Sequence, residues 1–192
     1  MIITCSLSAQ PWIQNNDMFN PSGVPSLPFS QPRFGDLDGD GDQDFVIGNL
    51  DDIPFYLENI GTAASPDFLP GTQYFEDIST LDAEIGVFAD LDDDGDLDFI
   101  AGGYTGLNFF ENIGTVYLPV FQKVNNFFSG LGVGQNPVPD LADVNDDGTL
   151  DMAVGFSEDG SVKIYFNTGT ASVAQFSEAS TQFIGDLSLI HI

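Results

Sequence analysis

Apolar residues along this chain come in short runs, and nowhere do they recur at helical spacing. Three runs begin at an aspartate and close at a glycine: Asp44-Phe45-Val46-Ile47-Gly48, Asp98-Phe99-Ile100-Ala101-Gly102 and Asp151-Met152-Ala153-Val154-Gly155. Runs of this length, too short for a helix, read as buried strands. Each is preceded by a short apolar segment ending in aspartate, at Phe34-Gly35-Asp36, Phe88-Ala89-Asp90 and Leu141-Ala142-Asp143. Each is followed by an aromatic segment ending in a turn, over Phe55–Thr62, Phe109–Thr115 and Ile164–Thr170, whose Asn and Gly are expected to supply left-handed backbone. A fourth, weaker strand is expected around Phe68, Phe121 and Phe176.

The pattern is a repeat. Asp36, Asp90 and Asp143 lie 54 and 53 residues apart. Four short strands per unit at so long a fixed period fit a propeller blade better than a sandwich. The expected fold class is all-β, with antiparallel four-stranded blades of an incomplete β-propeller: about three blades plus an N-terminal remnant. Repeat 1 spans 34–87, repeat 2 spans 88–140 and repeat 3 spans 141–186. Residues 11–33, broken by Asn20-Pro21-Ser22-Gly23, Pro25, Pro28 and Pro32, read as the end of a preceding blade and a linker. Residues 1–10 end in small side chains and read as the tail of a truncated signal peptide. Residues 187–192 read as an artefact of a sequencing adaptor, which leaves the single histidine, His191, without a role. The expected protein is longer, and secreted or at the cell surface.

Charge sharpens this picture. Only three Lys and Arg oppose 30 Asp and Glu among 192 residues, for a net charge of -27. No basic face exists to neutralise phosphates, so nucleic acid and anionic membranes are poor partner candidates. No apolar run is long enough to insert into a membrane. The 42% hydrophobic content separates the chain from disordered acidic polymers. A compact state this acidic requires cations, and the carboxylates cluster where cations would bind.

The clusters are three nine-residue loops. The first carries Asp36, Asp38, Asp40, Asp42 and Asp44 at positions 1, 3, 5, 7 and 9; the second carries Asp90, Asp92, Asp94, Asp96 and Asp98; the third carries Asp143, Asn145, Asp147, Thr149 and Asp151. Calcium takes six to eight oxygens at about 2.3–2.6 Å, and a tight loop with donors at alternate positions turns them toward one ion. Position 6 is glycine each time, at Gly41, Gly95 and Gly148. An EF-hand would place a bidentate Glu at position 12, but Ile47, Ala101 and Val154 stand there, so position 9 is expected to close the site. Position 7 is expected to coordinate through its backbone carbonyl. Asp93 and Asp146, at position 4, read as solvated charges. The third loop, with Asn145 replacing a carboxylate, is expected to bind more weakly. About three structural calcium ions are expected.

These loops, with Phe34-Gly35 and Ile47-Gly48-Asn49, resemble the FG-GAP/VCBS repeat family, which includes integrin α-chain propellers. The resemblance covers roughly residues 12–186 and implies blades with calcium loops along one rim. It leaves the partner open between an extracellular protein and a glycan. Exposed aromatics such as Tyr104, Tyr117, Phe127 and Phe128 could stack on a ligand or belong to the core. The leading expectation is a non-enzymatic binding or adhesion scaffold. The alternatives are a part, catalytic or not, of a secreted polysaccharide-degrading enzyme, and a spacer between other domains.

Overall fold

In a computed structural model of the chain, residues 30–48, 54–72, 78, 85–104, 106–156 and 160–178 are described. The segments 1–10 and 187–192, and most of 11–33, lie outside the described residues. The fold is all-β: three antiparallel sheets and, among the described residues, no α-helix. The first sheet holds β1 (Gln31–Gly35), β2 (Asp44–Gly48) and β3 (Phe55–Leu57). The second holds β4 (Ile85–Ala89), β5 (Asp98–Gly103), β6 (Gly106–Asn112) and β7 (Phe121–Val124). The third holds β8 (Pro137–Ala142), β9 (Asp151–Phe156), β10 (Val162–Asn167) and β11 (Phe176–Glu178). Within each sheet the strands lie in sequence order, so every connection is a local one.

The registers repeat with the sequence. Gly35 pairs with Asp44, Ala89 with Asp98 and Ala142 with Asp151, which places each Asp-rich loop in the hairpin between the first and second strands of its sheet. The fourth strand forms at Phe121 and Phe176. Around Phe68 it is reduced to isolated bridges, Asn59 with Phe68 and Tyr56 with Thr72. The first strands begin earlier than the repeat boundaries read from sequence. Gln31–Arg33, assigned above to a preceding unit, pair with Val46–Gly48, and Pro137 opens β8.

β5 shows why its sequence is a continuous apolar run rather than an alternating one: all six residues are buried. Phe99 and Ala101 join Leu37, Val46, Phe110 and Phe121 in a core between the first and second sheets. Ile100, on the opposite face, joins Leu91, Phe109, Met152, Val154 and Tyr165 in a core between the second and third. A strand covered on both faces has no solvent side to mark with polar residues. Burying side chains of this size contributes about 1.5–3 kcal/mol each. Phe88 and Phe99 stack with ring centroids 4.7 Å apart, as do Phe34 and Phe45 at 5.0 Å.

The first strands of successive sheets lie against one another, β1 on β4 and β4 on β8. The Arg33 guanidinium on β1 donates to the Gly86 carbonyl on β4. At the next junction Asn136 N–H donates to the Gly103 carbonyl at 3.1 Å. Backbone approaches so closely there that a Cβ on Gly102 would lie 1.6 Å from the Pro137 oxygen.

Candidate metal centre

The loops are shaped by their own aspartates. In the first, Asp36 accepts the Gly41 N–H at 3.1 Å, Asp38 that of Asp40 at 3.3 Å, and Asp40 that of Asp42 at 3.0 Å. In the second, Asp90 accepts from Asp94 and Gly95 at 3.2 and 3.1 Å, and Asp94 accepts from Asp96 at 3.1 Å. Backbone donors thus fold the chain around the side chains in positions 1, 3 and 5. Position 6 takes φ of 94°, 95° and 87° at Gly41, Gly95 and Gly148, a left-handed bend that favours glycine. Position 4 is left-handed as well: Gly39, Asp93 and Asp146 have φ of 69°, 60° and 62°. Asp93 and Asp146 are exposed, as expected of solvated charges, but they also carry a backbone requirement that the sequence pattern did not reveal.

The result in the first two loops is a convergence of charge. Carboxylate oxygens of Asp36, Asp38 and Asp40 lie within 4.8 Å of one another, and so do those of Asp90, Asp92 and Asp94. Either triad could hold a metal ion. Within them, Oδ1 of Asp36 and Asp92 is buried with no hydrogen-bond partner, and beside them so is Oδ1 of Asp42 and Asp96. Asp42 and Asp96, at position 7, are only 6% and 7% exposed. A buried, unpaired carboxylate oxygen costs free energy unless a cation or donor meets it. Burial, then the carboxylates of Asp94, Asp92 and Asp90, pushes Asp96 up to about 6. Burial also raises Asp38, Asp42 and Asp92, with neighbouring loop carboxylates adding to it. In all four, burial is the largest cause and neighbouring carboxylates add to it, with hydrogen-bond donors opposing it only in part.

The third loop is different. Asp143 accepts from Asp147 and Gly148 at 3.1 and 2.9 Å, as Asp90 does from Asp94 and Gly95. Asp147, however, receives the Thr149 hydroxyl at 2.7 Å, the Thr149 N–H at 2.9 Å and the Asn145 amide at 2.9 Å. Those donors, the Thr149 side chain first, hold the Asp147 carboxyl below its usual range. Asn145 and Thr149 therefore do more than remove carboxylates. They donate hydrogen bonds to the one that remains at position 5.

Position 9 has a second task. Asp44, Asp98 and Asp151 are each 1% exposed, at the first residue of the second strand. One oxygen of each accepts the backbone N–H of loop position 2, from Leu37, Leu91 and Val144 at 2.9, 3.1 and 3.2 Å. The other accepts the backbone N–H at the end of the third strand or just beyond it, from Asn59, Asn112 and Asn167 at 2.9, 2.8 and 2.8 Å. The sequence reading gave these residues a closing role at the ion only. Their oxygens also tie the loop to the sheet.

The three asparagines correct another expectation. Neither Asn nor Gly of the Asn-x-Gly-Thr turn has a positive φ. Asn59, Asn112 and Asn167 are buried, and their side-chain oxygens accept two backbone N–H groups across the turn: from Gly61 and Asp67, Gly114 and Val120, and Gly169 and Gln175. The glycines serve close approach: a Cβ at Gly61, Gly114 or Gly169 would lie 2.1–2.4 Å from a carbonyl oxygen across the turn. Threefold recurrence of Asn with Gly two residues later was the available signal. Of the candidate ligand-stacking aromatics, Phe128 is buried in the core and Phe127 packs beside it, whereas Tyr104 and Tyr117 are 57% and 67% exposed.

Comparisons of the chain with known protein families, with curated proteins and with solved structures find no match.

Proposed function

We propose that this chain is a calcium-stabilised module of β-propeller type, similar to FG-GAP/VCBS repeats, which serves outside the cell as a binding or adhesion scaffold. The observation that carries the reading is the pair of acidic triads, Asp36-Asp38-Asp40 and Asp90-Asp92-Asp94, each bordered by buried carboxylate oxygens that no donor meets. Oxygen-only donors on a flexible loop suit calcium; magnesium demands a stricter octahedron and retains its waters, and zinc prefers His and Cys. The propeller reading is supported by three consecutive sheets of the same internal order, whose first strands adjoin in series. The metal is structural: it offsets charge that otherwise opposes folding, so binding and stability are linked. The adhesion reading rests on the family resemblance and on the acidity of the sequence.

The test is calorimetric titration of calcium into chelator-treated protein, with thermal unfolding in parallel. The expected result is two sites with Kd on the order of 10⁻⁴–10⁻³ M and a weaker third. Asp38→Asn and Asp92→Asn each remove one of the stronger two, and calcium raises the Tm. Absence of both heat and stabilisation would sink the proposal. Asp44→Ala and Asp98→Ala are poor probes here because they also break the loop-to-sheet hydrogen bonds.

A further inference from the structure

Beside each of the first two loops the next sheet leaves a cleft, and the two clefts are built from equivalent residues. The first, about 100 Å³, is floored by Leu37 and Tyr56, flanked by Asp38 and Glu58, and walled by the turn Tyr117-Leu118-Pro119. The second, about 230 Å³, has Leu91 and Phe109, then Asp92 and Glu111, then the turn Ser172-Val173-Ala174. The two turns match in geometry, since Thr115 bridges Leu118 as Thr170 bridges Val173. Glu58 and Glu111 lie on the third-strand side, outside the Asp-rich loops. At the matching place the third repeat has Phe166, and it has Asn145 where the others have Asp38 and Asp92. The carboxylates of the cleft therefore change together.

We infer that these clefts form a docking surface for a basic peptide segment, each taking one lysine or arginine side chain with its stem against the apolar wall and its charged head at Glu58 or Glu111. The shape is that of an amphipathic side chain, apolar along its length and charged at its tip. Charge complementarity selects the occupant: one carboxylate outside the calcium triads, Glu58 or Glu111, borders each cleft in a chain of net charge -27 that has three Lys and Arg in total. The field of the whole chain speeds the approach of a basic partner, while the clefts set its position. A glycan is the competing occupant, since Tyr117 in the first cleft is 67% exposed and Phe127 lines the second, but the carboxylate at each cleft favours a cationic side chain. The inference goes beyond the calcium reading, since Glu58 and Glu111 belong to neither acidic triad.

The test is fluorescence anisotropy of a labelled oligolysine octapeptide with the full chain in calcium. Glu58→Gln with Glu111→Gln should weaken binding about tenfold, as two partly buried charge pairs would. Asp140→Asn with Asp146→Asn, which removes the same charge from exposed positions, should weaken it less than about twofold. Leu118→Ser should also weaken binding, because the stem loses its wall. Equal losses in the two double variants, or no effect of Leu118→Ser, would overturn the inference in favour of a diffuse field. Binding of a neutral oligosaccharide that the Glu variants abolish would overturn it in favour of a glycan site. Calcium titration of the Glu variants separates this inference from the metal reading, which predicts that both calcium sites persist in them.

Discussion

The Asp98 carboxylate accepts the backbone N–H of Asn112 at 2.8 Å, while its other oxygen accepts that of Leu91 at 3.1 Å. One buried side chain thus joins the Asp-rich hairpin to the end of the third strand. The same bonds recur at Asp44 with Asn59 and at Asp151 with Asn167. Asp98→Ala leaves two buried N–H groups without acceptors, a loss of about 2–4 kcal/mol. The loss should appear in urea unfolding with calcium and with chelator alike. A loss confined to calcium would mean that Asp98 acts only as a ligand.

Gly102→Ala and Gly155→Ala occupy equivalent strands but should behave differently. At Gly102 the added Cβ meets the Pro137 oxygen at 1.6 Å, whereas at Gly155 its nearest neighbour is the Val138 Cβ at 3.8 Å. The first change must push β5 and β8 apart and should lower stability by about 2 kcal/mol or more; the second should change it by less than about 1 kcal/mol. Thermal melts of the two variants under one condition make the comparison.

Asp93→Gly should stabilise the chain. Asp93 is exposed at φ 60°, where a Cβ is unfavourable, and it adds charge beside an acidic triad. Removing both effects is worth about 0.5–1 kcal/mol. A raised Tm, larger in chelator than in calcium, is the expected readout.

Stability should depend on pH in a direction that calcium reverses. Burial raises Asp44 to about 6 and Asp98 to about 7, only partly opposed by their backbone donors, and burial with neighbouring carboxylates raises Asp96 to about 6. A folded-state pKa above the ordinary value of 3.8 means that folding favours the protonated form. That stabilisation is complete below about pH 4 and is lost as pH rises through about 6–7. In chelator the Tm should therefore fall between about pH 4.5 and 8. Calcium requires the ionised form, so in its presence the Tm should rise over the same interval. Parallel scans by circular dichroism, with and without calcium, decide it.

Much of this was legible in one dimension. The second strands were plain because apolar runs such as Asp98–Gly102 are bounded by an aspartate and a glycine, and the loop positions were plain because alternate donors recur three times. Glu58 and Glu111 passed unnoticed: a single Glu beside an aromatic strand carries no signal until the next sheet's turn is placed against it. The asparagines were noticed for the wrong reason. Asn is common in turns through its backbone tolerance, but here its side-chain oxygen does the work, and only coordinates tell the two apart.

The sequence by itself determined the repeat, the succession of short strands along it and the residues that crowd carboxylates into each loop, because these follow from local spacing and side-chain chemistry. Only the tertiary structure decided that Asp44, Asp98 and Asp151 tie loop to sheet, and that Asp42 and Asp96 keep buried, unpaired oxygens. It also decided that Thr149 and Asn145 satisfy Asp147 from within its own loop. Those outcomes depend on which donors reach which acceptors once the chain has closed on itself, and burial, which fixes their energies, does not exist until the sheets pack.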